Sequence, residues 1–145
     1  MRKRNRLLHP LPVAVLVAIL VIMATRTFVI DAAVVSGTSM APTLMPGSII
    51  VILRCAYGVR NPGGGYLLFW SSPRTGDVVV SLNPQTGESV VKRVVASLPG
   101  LSRQESSLFL MGDNPGESLD SRKYGLVPVE SILGRVLLSK PWVNR

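Results

Sequence analysis

Few residues in this chain have side chains able to do covalent chemistry, and elimination among them narrows the field. The one histidine, His9, stands beside a long apolar run near the N-terminus. A Ser-His-Asp triad, a Cys-His dyad and an HExxH zinc site therefore all fail for want of a histidine in the body of the chain. The one cysteine, Cys55, allows no intrachain disulfide, CxxC redox pair or cysteine-rich zinc site, and reads as a small buried side chain in a strand. The 8 acidic residues do not exclude a carboxylate pair by number, but no Asp-Thr-Gly loop supports one. What remains is serine with lysine, and neither a metal nor a cofactor is expected.

A serine hydroxyl is a weak nucleophile and needs a base within hydrogen-bond reach. Lysine serves as that base only when neutral, which requires an apolar site that lowers its pKa from about 10.4. Lys3 belongs to the basic N-terminal tail, Lys123 to a polar loop and Lys140 to the C-terminal end. Lys92 lies instead in Val90-Val91-Lys92-Arg93-Val94-Val95, where period-2 alternation puts it on one face with Val90 and Val94. If that face is inward, the desolvation is present; if not, Lys92 and Arg93 mark the solvent side of an edge strand. Ser39 sits in a turn-rich loop two residues after Gly37, whose lack of a Cβ lets backbone approach closely, as an oxyanion hole requires. Alone, that is an ordinary loop.

The elements that must position these residues start with a membrane anchor. Leu11 to Thr25 carries no charge and Leu7 to Pro10 extends it, giving roughly the 17–25 residues of a spanning helix. Arg2, Lys3, Arg4 and Arg6 precede it, which predicts a cytoplasmic N-terminus by the positive-inside rule. Arg26, before the small pair Ala32-Ala33, argues against a cleaved signal peptide. The expected organisation is a cytoplasmic tail over 1–6, a transmembrane anchor over 7–26 and an extracytoplasmic domain over 27–145. Of the net charge of +8, four units belong to the tail and one to Arg26. No basic run interleaved with aromatics follows, so nucleic-acid binding is not expected; anionic lipid head groups are a better match for the remainder.

Beyond the anchor, short strands and many turns predict a mainly β domain. Strands are expected at residues 27–35, at Ser48 to Leu53 (buried on both faces), from Val78 to Val80, from Glu88 to Ala96 and from Leu108 to Met111. A hairpin turn is expected at Asn83 to Gly87, a flexible turn from Tyr57 to Gly65, a helical turn at Glu130 to Leu133 and a final strand through Val136. Tyr66 to Trp70 reads either as a core strand or as an interfacial patch in the outer leaflet.

Taken in order, these segments resemble the signal peptidase I family of Ser-Lys proteases. Ser39-Met40-Ala41-Pro42-Thr43-Leu44 is similar to its S-M-x-P-T-L box, and Gly76-Asp77-Val78-Val79-Val80 to its G-D-[VI]-V strand. Lys92-Arg93-Val94-Val95 is similar to its K-R box, and Gly112-Asp113-Asn114 with Ser118, Asp120-Ser121-Arg122 and Gly125 to its closing box. The resemblance implies a single transmembrane helix before a compact, β-rich signal-peptidase-type catalytic domain in the cell membrane. It implies Ser39 as nucleophile and Lys92 as general base, Ser118 as a second serine hydrogen-bonded to the lysine amine, and Asp120 with Arg122 as a bracing ion pair. The implied partners are secretory precursors with small residues before the cut, bound as an added strand beside Val34, Val35 and Ser36 and beside Ser89, Val90 and Val91. Two departures stand out. Gly37 replaces a serine whose hydroxyl joins the oxyanion hole in some members, leaving the hole to backbone such as the Ser39 N–H. Pro115-Gly116-Glu117 replaces the usual R-D-N. Rival readings are a dedicated maturation protease of the same chemistry and an inactive, membrane-anchored assembly protein.

Overall fold

The computed structural model describes residues 10–61, 63–102 and 105–140. Its first element is α1, Pro10–Phe28, so Thr27 and Phe28 are helical rather than the start of a strand. At 1.5 Å per residue α1 rises about 28 Å, slightly less than the roughly 30 Å of a bilayer's hydrocarbon core. Among the described residues no helix is long and apolar enough to cross a membrane; residues 7–9 of the expected anchor, the basic tail over 1–6 and His9 lie outside the described residues. The large apolar side chains of α1 from Leu11 to Met23 are nevertheless exposed.

The domain is mainly β, as its alternation and turns predict. Strands β1 (Ile30–Val34), β2 (Ile49–Leu53), β5 (Val78–Leu82), β6 (Ser89–Leu98), β7 (Ser107–Met111), β8 (Val127–Pro128) and β9 (Ile132–Lys140) form one antiparallel sheet in the order β1-β2-β9-β5-β6-β7-β8. The Asn83–Gly87 turn joins β5 to β6, with Leu82 opposite Ser89. Register shifts within β2/β9, β5/β9 and β6/β7 coil the sheet. Adjacent Val79 and Val80 of β5 belong to two different core clusters, so this central strand carries core on both faces. One cluster gathers Tyr57, Val94, Leu108, Leu110 and Ile132. The other gathers Val35, Met40, Leu44, Ile50 and Ile52.

Three further expectations are corrected. Cys55, expected as a small buried side chain in a strand, lies in the turn after β2 and is only half-buried. β2 is not buried on both faces: Ile50 and Ile52 are buried, whereas Ile49 is 43% exposed. The flexible turn from Tyr57 to Gly65 contains β3 (Gly58–Arg60), paired with β4 (Tyr66–Phe69) in a small second sheet. Arg60 fixes that hairpin to the main sheet by donating to the carbonyls of Glu130 and Ile132. Tyr66 and Phe69 pack on the core, while Leu67, Leu68 and Trp70 are exposed, so β4 divides between the two roles its sequence suggests. The helical turn near Glu130 is a 3-10 turn, Val129–Ser131. A further short helix, α2 (Ser121–Tyr124), follows the closing-box loop.

Candidate active site

Ser39 owes its position to the residues after it. The loop from Ser36 to Gly47 is closed at its base by Val35 N–H donating to Ser48 O (2.9 Å) and Gly47 N–H to Val35 O (2.7 Å). Met40 and Leu44, 1% and 2% exposed, sink into the core with Ile50 and Ile52. These two apolar anchors leave Ser39, just before the first of them, at the surface of a cleft, half-buried. The loop's internal bonds, Ala41 N–H to Thr38 O and Leu44 N–H to Met40 O, do not engage the Ser39 N–H.

Lys92 comes to the serine from β6. It pairs across the sheet with Val79, shares a face with buried Val94, and is itself only 3% exposed. The inward reading of the alternation therefore describes this strand. Lys92 Nζ donates to Ser39 Oγ at 2.9 Å. Burial pushes the lysine pKa below its ordinary value; the Asp120 charge works against this and the Arg122 charge with it.

A loop running from the end of β7 to α2 closes over the pair. Asp120 is fully buried and caps α2. It accepts from Arg122 Nε and Nη2 (both 2.8 Å), Arg122 N–H (3.2 Å) and Gly112 N–H (3.0 Å). Burial alone would raise its carboxyl, but these donors, with Ser118 nearby, outweigh it and hold Asp120 far below the usual carboxylate range. Arg122 also donates to Pro115 O (3.1 Å), which fixes the departure segment 115–117 at one end. The ion pair expected of Asp120 and Arg122 is thus formed. Its charges act on Lys92 in opposite senses, so Arg122 offsets the pull by which Asp120 alone would keep the lysine charged.

Ser118 is buried beside this network, but its Oγ makes no well-formed hydrogen bond among the described residues. The contact with the lysine amine that the resemblance implies is not made in this structure. Ser118 is nonetheless held close to the serine loop by the lack of a side chain at Gly112. A Cβ built there would collide with Ser118 Oγ and with the carbonyl oxygen of Ser39.

Sequence reasoning assigned no role to a second clamp on the serine loop. Asp113 takes a bidentate pair from Arg93, Nε to Oδ1 (2.8 Å) and Nη2 to Oδ2 (2.6 Å). Those bonds, with one from Thr43 of the serine loop, lower the Asp113 pKa. Next to it, Asn114 N–H donates to Ser39 O (2.9 Å) and Asn114 Nδ2 to Thr38 O (3.3 Å). Arg93 points away from Lys92 along the strand, so one strand supplies the amine and, through its neighbour, a brace for the loop that carries the serine. The signal available beforehand was the motif order itself, which places Gly112-Asp113-Asn114 in the same protein as Lys92-Arg93.

The cleft holds about 320 Å³ and is lined by Val34, Val35, Ser36, Val90, Val91 and Lys92, among others. All six positions expected beside the substrate, Ser89 included, therefore meet in one cavity with Ser39. Its walls are strand edges. β1 is the outer strand of the sheet, and β6 pairs with β7 only from Arg93 onward, which leaves the Ser89–Lys92 side without a strand partner among the described residues. Two such edges facing one cleft suit an extended peptide. Its apolar lining, with Ile50, Ile52 and Val80 at the back, leaves room for small apolar side chains.

Comparison with known proteins agrees with the motif order. A family described as signal peptidase, peptidase S26, matches residues 8–102 and 103–140. A signal peptidase I of Buchnera aphidicola subsp. Baizongia pistaciae is 34% identical over 84 residues, 57% of this chain and 27% of that protein. The mitochondrial inner membrane protease subunit 1 of Schizosaccharomyces pombe is 29% identical over 140 residues, covering 88% of this chain and 83% of that one. A signal peptidase I of Leptolyngbya laminosa is 26% identical over 168 residues, with 88% of this chain and 77% of that one covered. The chain thus spans about a quarter of the Buchnera protein but most of the other two.

Proposed function

Because the chain belongs to the signal peptidase family, peptidase S26, we propose that it is a membrane-anchored serine endopeptidase that cleaves signal peptides from exported precursors with Ser39 and Lys92. The observation that carries the reading is the 2.9 Å contact between a buried lysine amine and a serine hydroxyl at the wall of a strand-edged cleft. With Lys92 neutral, the proton of that hydrogen bond lies on Ser39 and points at the amine. Ser39 Oγ attacks the scissile carbonyl carbon as its proton passes to Lys92 Nζ. The oxyanion that forms is met by the Ser39 N–H, which the loop leaves unengaged. Collapse breaks the C–N bond, the leaving amine takes the proton from Lys92, and an acyl-enzyme remains. Water then attacks the ester carbonyl, again losing its proton to Lys92; the ester C–O bond breaks as that proton passes to Ser39 Oγ, and the carboxylic acid product leaves with both residues restored.

The substrate enters as a strand between the edges at Val34–Ser36 and Ser89–Val91, with its small residues in the apolar cavity. The membrane anchor is proposed from the apolar sequence of α1 and of residues 7–9 before it, with the basic tail on the cytoplasmic side and the domain outside. The test is cleavage of a model precursor in detergent or lipid. Ser39→Ala is expected to be inactive with an unchanged Tm, and full activity in that variant would overturn the mechanism. The wild-type rate should rise with pH as Lys92 loses its proton, with a midpoint below the roughly 10.4 of an ordinary lysine. A rate flat across that range is incompatible with a lysine base.

Gly37 offers a second test. A Cβ at this position meets nothing within 4 Å, so a side chain fits without displacing a neighbour. Gly37→Ser is expected to leave Tm unchanged and, by adding a hydroxyl donor beside the Ser39 N–H, to raise kcat by up to about tenfold. A fall in kcat would show that the oxyanion does not form on this side of the serine.

A further inference from the structure

A second cleft, of about 290 Å³, lies at the other end of the sheet's central strands, lined by Tyr57, Ser71, Ser72, Arg74, Asp77 and Arg135 with two further residues. Its position follows from the register. Leu53, in its wall, pairs with Ile30, the first residue of β1, and with Arg135 of β9. Arg54 N–H donates to Val29 O (2.8 Å), directly after α1. The cleft therefore opens at the end of the domain where α1 joins it.

Its chemistry is that of an anion site with the internal charge already neutralised. Asp77 accepts from Tyr57 Oη (3.0 Å) and Arg74 N–H (3.0 Å) through Oδ2, and pairs with Arg135 through Oδ1 (3.3 Å). Both carboxylate oxygens are thereby occupied. Arg135 spends one nitrogen on Asp77 and is 50% exposed, leaving further N–H donors of its guanidinium facing the opening. Arg74 is exposed, and Ser71 and Ser72 line the same cleft. Two guanidinium groups and two hydroxyls around one neutralised carboxylate match a phosphate diester better than a carboxylate or a neutral ligand. The other charges at this end, Arg54 and Asp31, form an exposed pair at 3.5 Å and add no net charge.

The surface beside the cleft is apolar. Trp70 N–H and Ser71 N–H both donate to Tyr57 O, so Trp70 stands at the rim. Leu67 and Leu68 of β4 and Trp70 just after it are 62%, 63% and 52% exposed. Exposed tryptophan and leucine beside a phosphate-matching basic cleft, next to the exit of an apolar helix, is the composition of a bilayer interface.

We propose that the cleft between Arg74 and Arg135 binds the head-group phosphate of an anionic phospholipid, and that this contact seats β4 in the surface of the bilayer holding α1. Its orienting role rests on the proposed anchoring of α1, whereas the head-group contact itself stands apart from that anchor and from the chemistry at Ser39. Its consequence is orientation: a phosphate held here fixes the domain's tilt on the membrane and hence the height of the Ser39 cleft above the surface from which a membrane-inserted precursor emerges.

The test uses the full chain with Trp142→Phe, which leaves Trp70 as the sole tryptophan, in vesicles carrying brominated acyl chains. Vesicles of phosphatidylcholine alone are compared with vesicles that also contain phosphatidylglycerol. Trp70 should be quenched, more strongly in the anionic vesicles, with the extra quenching lost at high salt. Arg74→Gln should weaken the docking equilibrium roughly fivefold, the worth of one basic residue at an anionic surface. Arg135→Lys, which keeps the charge beside Asp77, should keep the fold but weaken the preference for anionic lipid. An unquenched Trp70, or equal quenching in both vesicles that Arg74→Gln does not alter, overturns the site. Extraction at alkaline pH reports on α1 separately: a chain that resists extraction but leaves Trp70 unquenched refutes the head-group site while the anchor stands. A chain that is extracted, yet shows anionic-lipid quenching at neutral pH, refutes the anchor while the head-group site stands.

Discussion

Lys92→Met is expected to abolish precursor cleavage, by at least about a thousandfold, and at the same time to raise the Tm of the domain by a few degrees. The two effects have one cause. Burial is the largest influence lowering the lysine pKa, which means that the folded state disfavours the charged amine. Methionine fills a similar volume without a charge to desolvate, and Ser39, only half-buried, can turn its hydroxyl to water. The sign of the pH dependence follows from linkage. In the unfolded chain the lysine keeps its proton to about pH 10.4, while in the folded protein it loses it earlier. Between those two values the unfolded state binds more protons, so wild-type stability rises with pH through that window. Below the folded pKa the cost is felt in full, and above the unfolded pKa it is gone. The Tm advantage of the methionine variant should therefore be greatest at about pH 6 and should have shrunk by about pH 10. Thermal unfolding of both proteins at those two pH values checks it. A methionine variant that cleaves like wild type, or that is less stable at both values, would show that Lys92 is not held against its own hydration.

How much of this was legible beforehand depends on whether the controlling contact is local. The β5–β6 hairpin was readable because Asn-Pro-Gln-Thr-Gly is a turn flanked by alternating apolar residues, and both signals lie within the segment. The direction of Lys92 was readable only as a choice of two faces. Alternation gives the period, but the inner face is decided by Val79 across the sheet. β2 misled because Ile-Ile-Val-Ile-Leu has no polar residue to reveal its open face, whereas in the fold only Ile50 and Ile52 reach the core. β3 was missed because its pairing partner and its Arg60 anchor on Glu130 and Ile132 are supplied from elsewhere in the chain. The same holds for the clamp. Arg93 and Asp113 stand twenty residues apart and meet because β6 and β7 pair through Arg93 and Met111. Ser118 shows the converse limit: its place in a motif was legible, but the direction of its hydroxyl depends on how tightly the loop packs around Gly112.

Gly112→Ala is expected to lower kcat by about a hundredfold or more with little change in KM. Gly112 lies where the closing loop crosses the serine loop, with its N–H donated to Asp120 and the next two residues tied to Arg93 and Ser39. A methyl group at this position runs into Ser118 Oγ and into the backbone carbonyl of Ser39. The Ser118 hydroxyl can rotate away, though its Cβ still crowds the methyl group, and the Ser39 carbonyl cannot move without carrying Ser39 with it. Relief therefore comes by displacing the nucleophile from Lys92, and a shift of about 1 Å is enough to cost a hundredfold in rate. The cleft walls at Val34–Ser36 and Ser89–Val91 lie on other elements, so substrate binding should be largely kept. The variant should also lose stability by about 1–3 kcal/mol from overpacking, which unfolding in denaturant will read. Gly112→Ala combined with Ser118→Gly separates the two collisions. Measured against Ser118→Gly alone, it removes the side-chain clash and leaves the backbone one, so stability should recover in part while kcat stays low. Recovery of kcat together with stability would place the cost at Ser118 instead, and would mean that the Ser39 carbonyl has room to yield.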